Sequence, residues 1–158
     1  MILDCNEIIA NRLWVGRYIR PEDVKLLRKM GISAVVNLQS EEDFVNYSIP
    51  FNKLLKAYTQ AEIELRHIPI LDFNEEALAA NLVQGVKEIE EALTPRWAKI
   101  YLHCTAGINR GPTLAAAYLI KAQGLSAREA YDFVAAQRHC SPSLGILEQY
   151  ETSLKNMS

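Results

Sequence analysis

Apolar positions along this chain fall in short blocks whose period switches between that of a strand and that of a helix. Leu13-Trp14-Val15-Gly16 reads as a short strand. Pro21 stands where a first helical residue belongs, and Glu22 to Met30 sets Val24, Leu27 and Met30 on one helical face, with Gly31 as the stop. Ile32 to Leu38 is mostly apolar and β-branched between polar flanks, the pattern of a buried strand. Gln39 to Glu62 carries one or two short helices broken near Pro50, and Ile63 to Ile70 alternates as a further strand. Asn74 is placed to cap a long helix reaching Leu93, with Leu78, Leu82, Val86, Ile89 and Leu93 along one stripe. Ala98 to Leu102 is then a strand that stops just before His103-Cys104.

Beyond Arg110 the pattern is helical in blocks: Thr113 to Gln123 up to Gly124, a capping box at Ser126–Glu129 opening a helix towards Gln137, and Ser141-Pro142 opening a last helix to about Leu154. Strands and helices alternate early and helices dominate late. This predicts an α/β fold, a central, mainly parallel sheet of four or five strands flanked by helices. With no internal repeat or low-complexity linker, residues 1–158 read as one domain.

Composition narrows the function classes. Hydrophobic residues make up 49% and charged ones 23%, which argues against disorder. The net charge of −2 provides no global attraction for nucleic acid or an anionic membrane, so neither is expected as a partner and any anion site must be local. No apolar run approaches the roughly 18 residues of a membrane span. Cys5, Cys104 and Cys140 are too few and scattered for a disulfide scaffold, and Met1 to Glu7 lacks the basic and apolar regions of a signal peptide. A cytoplasmic monomer is the expectation.

One segment carries chemistry. His103 to Thr113 reads HCTAGINRGPT: a strand delivers Cys104 into a loop of small residues, Arg110 closes the loop, and a helix follows. Successive backbone N–H groups from Thr105 through Ala106, Gly107, Ile108 and Asn109 can form an anion-binding nest, and the helix N-terminus adds partial positive charge at the same point. Arg110 offers a planar fork matching two phosphate oxygens. Such a field favours the thiolate of Cys104, a nucleophile poised beneath a bound phosphate. Asp72, in the loop after the Ile63–Ile70 strand, is the candidate to protonate the leaving group and then to activate water, with Glu75 and Glu76 as the fallback.

These residues resemble a known family. Cys-x5-Arg with a preceding histidine, and an aspartate 32 positions upstream, is similar to the dual-specificity branch of the protein tyrosine phosphatases. The likeness runs from Leu13-Trp14-Val15-Gly16 through Asn37-Leu38 to the closing helices. Cys104-Thr105-Ala106-Gly107 and Arg138-His139-Cys140-Ser141-Pro142 look most like the glucan phosphatases, the group of laforin and the plant starch phosphatases. The resemblance implies the protein tyrosine phosphatase fold and hydrolysis of phosphate monoesters through a phosphocysteine intermediate, with no cofactor. It departs from the pattern twice. Asn109 stands where glucan phosphatases usually have glycine, and asparagine tolerates the left-handed backbone that a glycine there would supply. Gly111 stands where a hydroxyl usually assists release of the phosphocysteine, although plant starch phosphatases also lack it.

Other residues have plainer readings. In a strand, His103 points away from Cys104 and is expected to be a buried, hydrogen-bonded support of the loop; Asn37 should tie loops together in the same way. The repeated dipeptides His103-Cys104 and His139-Cys140 lack metal-ligand spacing, so no metal site is expected. Cys5 and Cys140 read as quiet thiols, either of which would pair with Cys104 under oxidation if it lay close. Arg110 is the loop's only basic side chain, unlike inositol-phosphate enzymes, which leaves a phosphorylated protein or a phosphoglucan as substrate. A glucan would want aromatic faces, for which Phe44, Tyr47, Phe51, Tyr58 and Phe73 are candidates, most of them core residues. A phosphate-binding pseudophosphatase and a protein-interaction module are the alternatives.

Overall fold

The computed structural model describes residues 2–157. Five strands, β1 (Cys5–Ile9), β2 (Leu13–Gly16), β3 (Ala34–Asn37), β4 (Glu64–His67) and β5 (Ile100–His103), form one sheet in the order β1-β2-β5-β3-β4. β2, β5, β3 and β4 run parallel, and β1 pairs antiparallel on the edge. The strand that leads into Cys104 is therefore the central one. Ile100, Tyr101, Leu102 and His103 are all fully buried, as a parallel strand covered on both faces must be.

Side chains alternate across this sheet. Ile100 and Leu102 face one core, shared with α4 (Glu75–Ala92), α5 (Arg110–Gln123), α6 (Ala127–Gln137) and α7 (Leu144–Asn156). Tyr101 and Val35 face the other, with α1 (Val24–Met30) and α3 (Phe51–Ala61). Each fully buried aliphatic side chain contributes about 1.5–3 kcal/mol. A short helix, α2 (Glu41–Asn46), sits at the exit of β3, beside the carboxyl ends of the central strands, where ligands of open α/β sheets bind.

The sequence pattern holds for most elements and differs at identifiable places. β1 is an addition: its Asn6 and Glu7 are exposed and mask the alternation, and the left-handed Asn11 (φ 60°) turns the chain into β2. The extended run to Ile70 ends as a strand at His67, yet hydrogen bonds from Ile68 N–H to Asn37 O and Ile70 N–H to Leu38 O carry it on past Pro69. α5 begins at Arg110 and not at Thr113, because Pro112 falls in the first turn, where a missing N–H leaves no bond unmade. Asn74 caps α4 as expected, its Oδ1 accepting from Ala77 N–H at 2.9 Å.

Candidate active site

Cys104 follows directly from the central strand and is 3% exposed, at the base of a cavity of about 260 Å³. Asp72, Phe73, Ala106, Ile108, Asn109 and Arg110 line the same cavity. The loop above the sulfur is held open from outside. Arg138, itself buried, donates through Nη2 to the carbonyl of Ala106 (3.1 Å) and through Nε to that of Gly107 (2.7 Å), and Ser141 N–H donates to the carbonyl of Ile108 (2.7 Å). In a trans peptide the N–H opposes the C=O, so the N–H groups of Gly107, Ile108 and Asn109 turn the other way, towards the cavity. Arg138 is anchored in turn by Asp4 and Asn6, at 3.1 and 3.0 Å. Gly107 is left-handed at φ 71°, and a Cβ there would lie 2.6 Å from Arg138 Nη2, so the position admits only glycine without rearrangement.

Arg110 opens α5 and is 2% exposed. Its guanidinium donates twice to Asp43 (Nη1 to Oδ2 2.8 Å, Nη2 to Oδ1 3.1 Å) and once to the carbonyl of Ile70 (2.9 Å), and Nη2 lies 3.1 Å from Asp72 Oδ2. Burial by itself would lower the pKa of Arg110, but the hydrogen bond to Asp43 and the negative charges of the groups around it together outweigh burial, and the pKa rises. Asp43 also accepts from Thr105 Oγ1 (2.7 Å), Ser40 N–H (2.8 Å) and Ser40 Oγ (3.0 Å). Its burial pushes the carboxyl up, and the bonds from Arg110, Ser40 and Thr105 more than reverse this, to about 2. Asp43 is the functional residue the sequence reading missed. Its only local signal is Ser40-x-x-Asp43, a capping box whose acid does double duty.

Of the loop residues expected at the substrate, Ala106, Ile108 and Asn109 line the cavity. Thr105 and Gly107 do not: the Thr105 hydroxyl turns inward between Asp43 and Gln39 Nε2 (3.0 Å). Asn109 also differs from expectation. Its φ is −123°, so it makes no use of the left-handed region; its Nδ2 instead donates to Ser141 O and Ser143 Oγ, both at 2.9 Å, and stitches the loop to the start of α7. Gly111 N–H, at the N-terminus of α5, points at Cys104 Sγ from 3.5 Å.

Asp72 lies in the turn between β4 and α4. Its Oδ1 accepts from Phe73 N–H (3.0 Å) while Oδ2 faces Arg110. Phe73, left-handed at φ 56°, is completely exposed at the cavity mouth. The other aromatic candidates lie elsewhere: Tyr58 is core, Phe44 and Phe51 stack on each other with centroids 4.5 Å apart and both meet His67, and Tyr47 pairs with Tyr18. Asn37 is buried and accepts from Gln39 N–H at 2.8 Å, holding the chain between β3 and α2. Burial pushes the thiols of Cys5 and Cys140 up, which disfavours their thiolates. Among the described residues no group of three or more His, Cys, Asp or Glu is placed to hold a metal ion.

His103 lies on the face opposite Cys104, next to Tyr101. Its Nδ1–H donates to the carbonyl of Cys104 at 2.8 Å, a tautomer assigned because a carbonyl only accepts, while Nε2 is buried without a partner. Burial holds its pKa down at about 4. The unfolded chain binds this proton below about 6.5 and the folded one only near 4, so folding stability falls as pH drops through that window. Urea unfolding at pH 7 and pH 4 should show a loss of about 3 kcal/mol from this residue, and His103→Gln should remove that part of the pH dependence.

Comparison with known proteins places this geometry. Residues 13–152 match the model of the dual specificity phosphatase catalytic domain. The chain is 29% identical over 130 residues to the amyloplastic phosphoglucan phosphatase DSP4 of Castanea sativa, spanning 81% of this chain and 34% of the relative. To dual specificity protein phosphatase 8 of Mus musculus it is 34% identical, over 93% of this chain and 21% of the relative. It thus spans only about a fifth to a third of these proteins' length. Among solved structures, PTPMT1 in complex with PI(5)P superposes with a TM-score of 0.79 at 23% identity, covering 97% of each chain. The human tyrosine phosphatase-like serine/threonine/tyrosine-interacting protein gives 0.76 at 21% identity, covering 99% of this chain and 100% of that one.

Proposed function

This chain belongs to the family of dual specificity phosphatase catalytic domains, and from that premise we propose that it hydrolyses phosphate monoesters through a phosphocysteine on Cys104. One observation carries the reading: Cys104, Arg110 and Asp72 line a single cavity, and the loop carbonyls of Ala106, Gly107 and Ile108 are tied away to Arg138 and Ser141. A phosphate dianion takes the inward N–H groups and the Nη2 of Arg110 now facing Asp72, while Asp43 keeps Arg110 in place. The Cys104 thiolate attacks phosphorus, an S–P bond forms and the ester P–O bond breaks, and Asp72 delivers a proton to the departing oxygen. Asp72 then takes a proton from water as its oxygen attacks phosphorus, and the S–P bond breaks to return the thiolate.

Gly111 brings no hydroxyl to this second step. Its backbone N–H is what faces the sulfur. The substrate is a phosphorylated protein side chain or a phosphorylated glucan, supported by relatives named for each. The test is phosphate release, with chelator present, from para-nitrophenyl phosphate, a phosphotyrosine peptide and phosphorylated amylopectin. Turnover that vanadate inhibits is expected on at least one; silence on all three would replace the enzyme with a phosphate-binding module. Asp72→Ala should lower kcat/KM for alkyl esters by about 10²–10³-fold and for para-nitrophenyl phosphate by much less, because a nitrophenolate leaves without a proton. Equal lowering of kcat/KM for both classes, which reports formation of the phosphocysteine alone, would remove Asp72 from the acid's role.

A further inference from the structure

Beside the catalytic cavity lies a second chamber of about 290 Å³, and the two share Phe73, Asn109 and Arg110 as walls. The chamber's charged lining consists of Arg110 and Glu75. Arg110 is already held by two carboxylates, Asp43 and Asp72, whereas Glu75 is exposed in the first turn of α4. The chamber's uncompensated charge is therefore negative. Its polar groups are neutral and supply no compensating charge. Asn109 has committed its amide nitrogen to Ser141 O and Ser143 Oγ, and Ser143 uses its oxygen to accept that bond. Phe73 offers only a ring face, fully exposed.

We propose that Glu75 is a specificity determinant that confines this site to phosphates with an uncharged neighbour and turns away ligands carrying a second phosphate beside the first. The proposal deepens the phosphatase reading and rests on it for the placement of the first phosphate. A ligand whose reacting phosphate sits over Cys104 puts its adjoining group into the chamber past Phe73. An uncharged group there meets a ring face and the hydroxyl of Ser143. A second phosphate meets the Glu75 carboxylate with no unpaired cation in the lining to offset it, and like charges at this range repel even through partial screening.

The experiment compares binding of phenylphosphonate with that of a benzene ring bearing two phosphonates on adjacent carbons, by calorimetry, to wild type, Glu75→Gln and Glu75→Lys. Wild type should hold the single phosphonate at least about tenfold more tightly, with the preference falling to about threefold in Glu75→Gln and vanishing in Glu75→Lys. The same preference in all three proteins, or a wild type that favours the doubly charged ring, would overturn the role of Glu75. Loss of the phosphatase reading is a separate result: it would be para-nitrophenyl phosphate turnover that is absent or survives Cys104→Ser, while the binding ratios still test Glu75.

Discussion

Replacing Cys104 with serine should abolish turnover on every phosphate ester, by about ten-thousandfold or more in kcat, while phosphate binding stays within a few fold of wild type. The two halves of this result have separate causes. Attack on phosphorus needs an anionic sulfur, and a serine hydroxyl in the same field remains protonated, because alkoxides form far less readily than thiolates. Binding depends on other groups: the outward-held carbonyls of Ala106, Gly107 and Ile108, the N-terminus of α5, and Arg110. None of these is positioned by the sulfur. The check pairs single-turnover kinetics with calorimetric titration of inorganic phosphate. A variant that kept more than about 1% of wild-type kcat would transfer the nucleophile's role to another group.

Asp43→Asn is the second large effect, and it separates support from chemistry. Five donors converge on the two oxygens of Asp43: two from Arg110, one from Thr105 and two from Ser40. An amide replaces one of those oxygens with a donor, so whichever way the side chain turns, N–H groups oppose N–H or O–H groups. The guanidinium of Arg110 would lose its principal counter-charge where it is almost wholly buried, and breaking a buried pair in this way costs about 3–5 kcal/mol. The variant should therefore melt well below wild type. What remains folded should turn over about a hundredfold more slowly, because Arg110 no longer meets the phosphate at a fixed angle.

The pH dependence supplies an independent reading. The Asp43 carboxyl lies at about 2 when folded against 3.8 in the free state, so its stabilisation is present above about pH 4 and is lost as pH falls towards 2. The stability gap between wild type and Asp43→Asn should narrow across that window. Denaturant unfolding at several pH values measures it, and a gap independent of pH would remove the ion pair as its cause.

Most of the chemistry was legible in the chain because it is local. Cys104 and Arg110 lie within one strand–loop–helix unit whose spacing dictates its own geometry, and Asn74 announces the helix after Asp72 by its own capping chemistry. The alternation of strands and helices likewise determined the α/β class, since period and burial are properties of contiguous residues. Tertiary structure alone decided what comes from far away. Asp43 reaches Arg110 across 67 positions, and no periodicity marks a short acidic helix as the holder of a distant guanidinium. Arg138 ties the loop to Asp4, 134 positions earlier, just ahead of an edge strand whose exposed Asn6 and Glu7 hide its alternation. Asn109 was weighed by its backbone tolerance and is used for its side chain, because its partners Ser141 and Ser143 arrive only when α7 packs against α5. A sequence specifies reactive groups through local spacing, but the charges and bonds that orient them are set wherever the fold brings separate segments into contact.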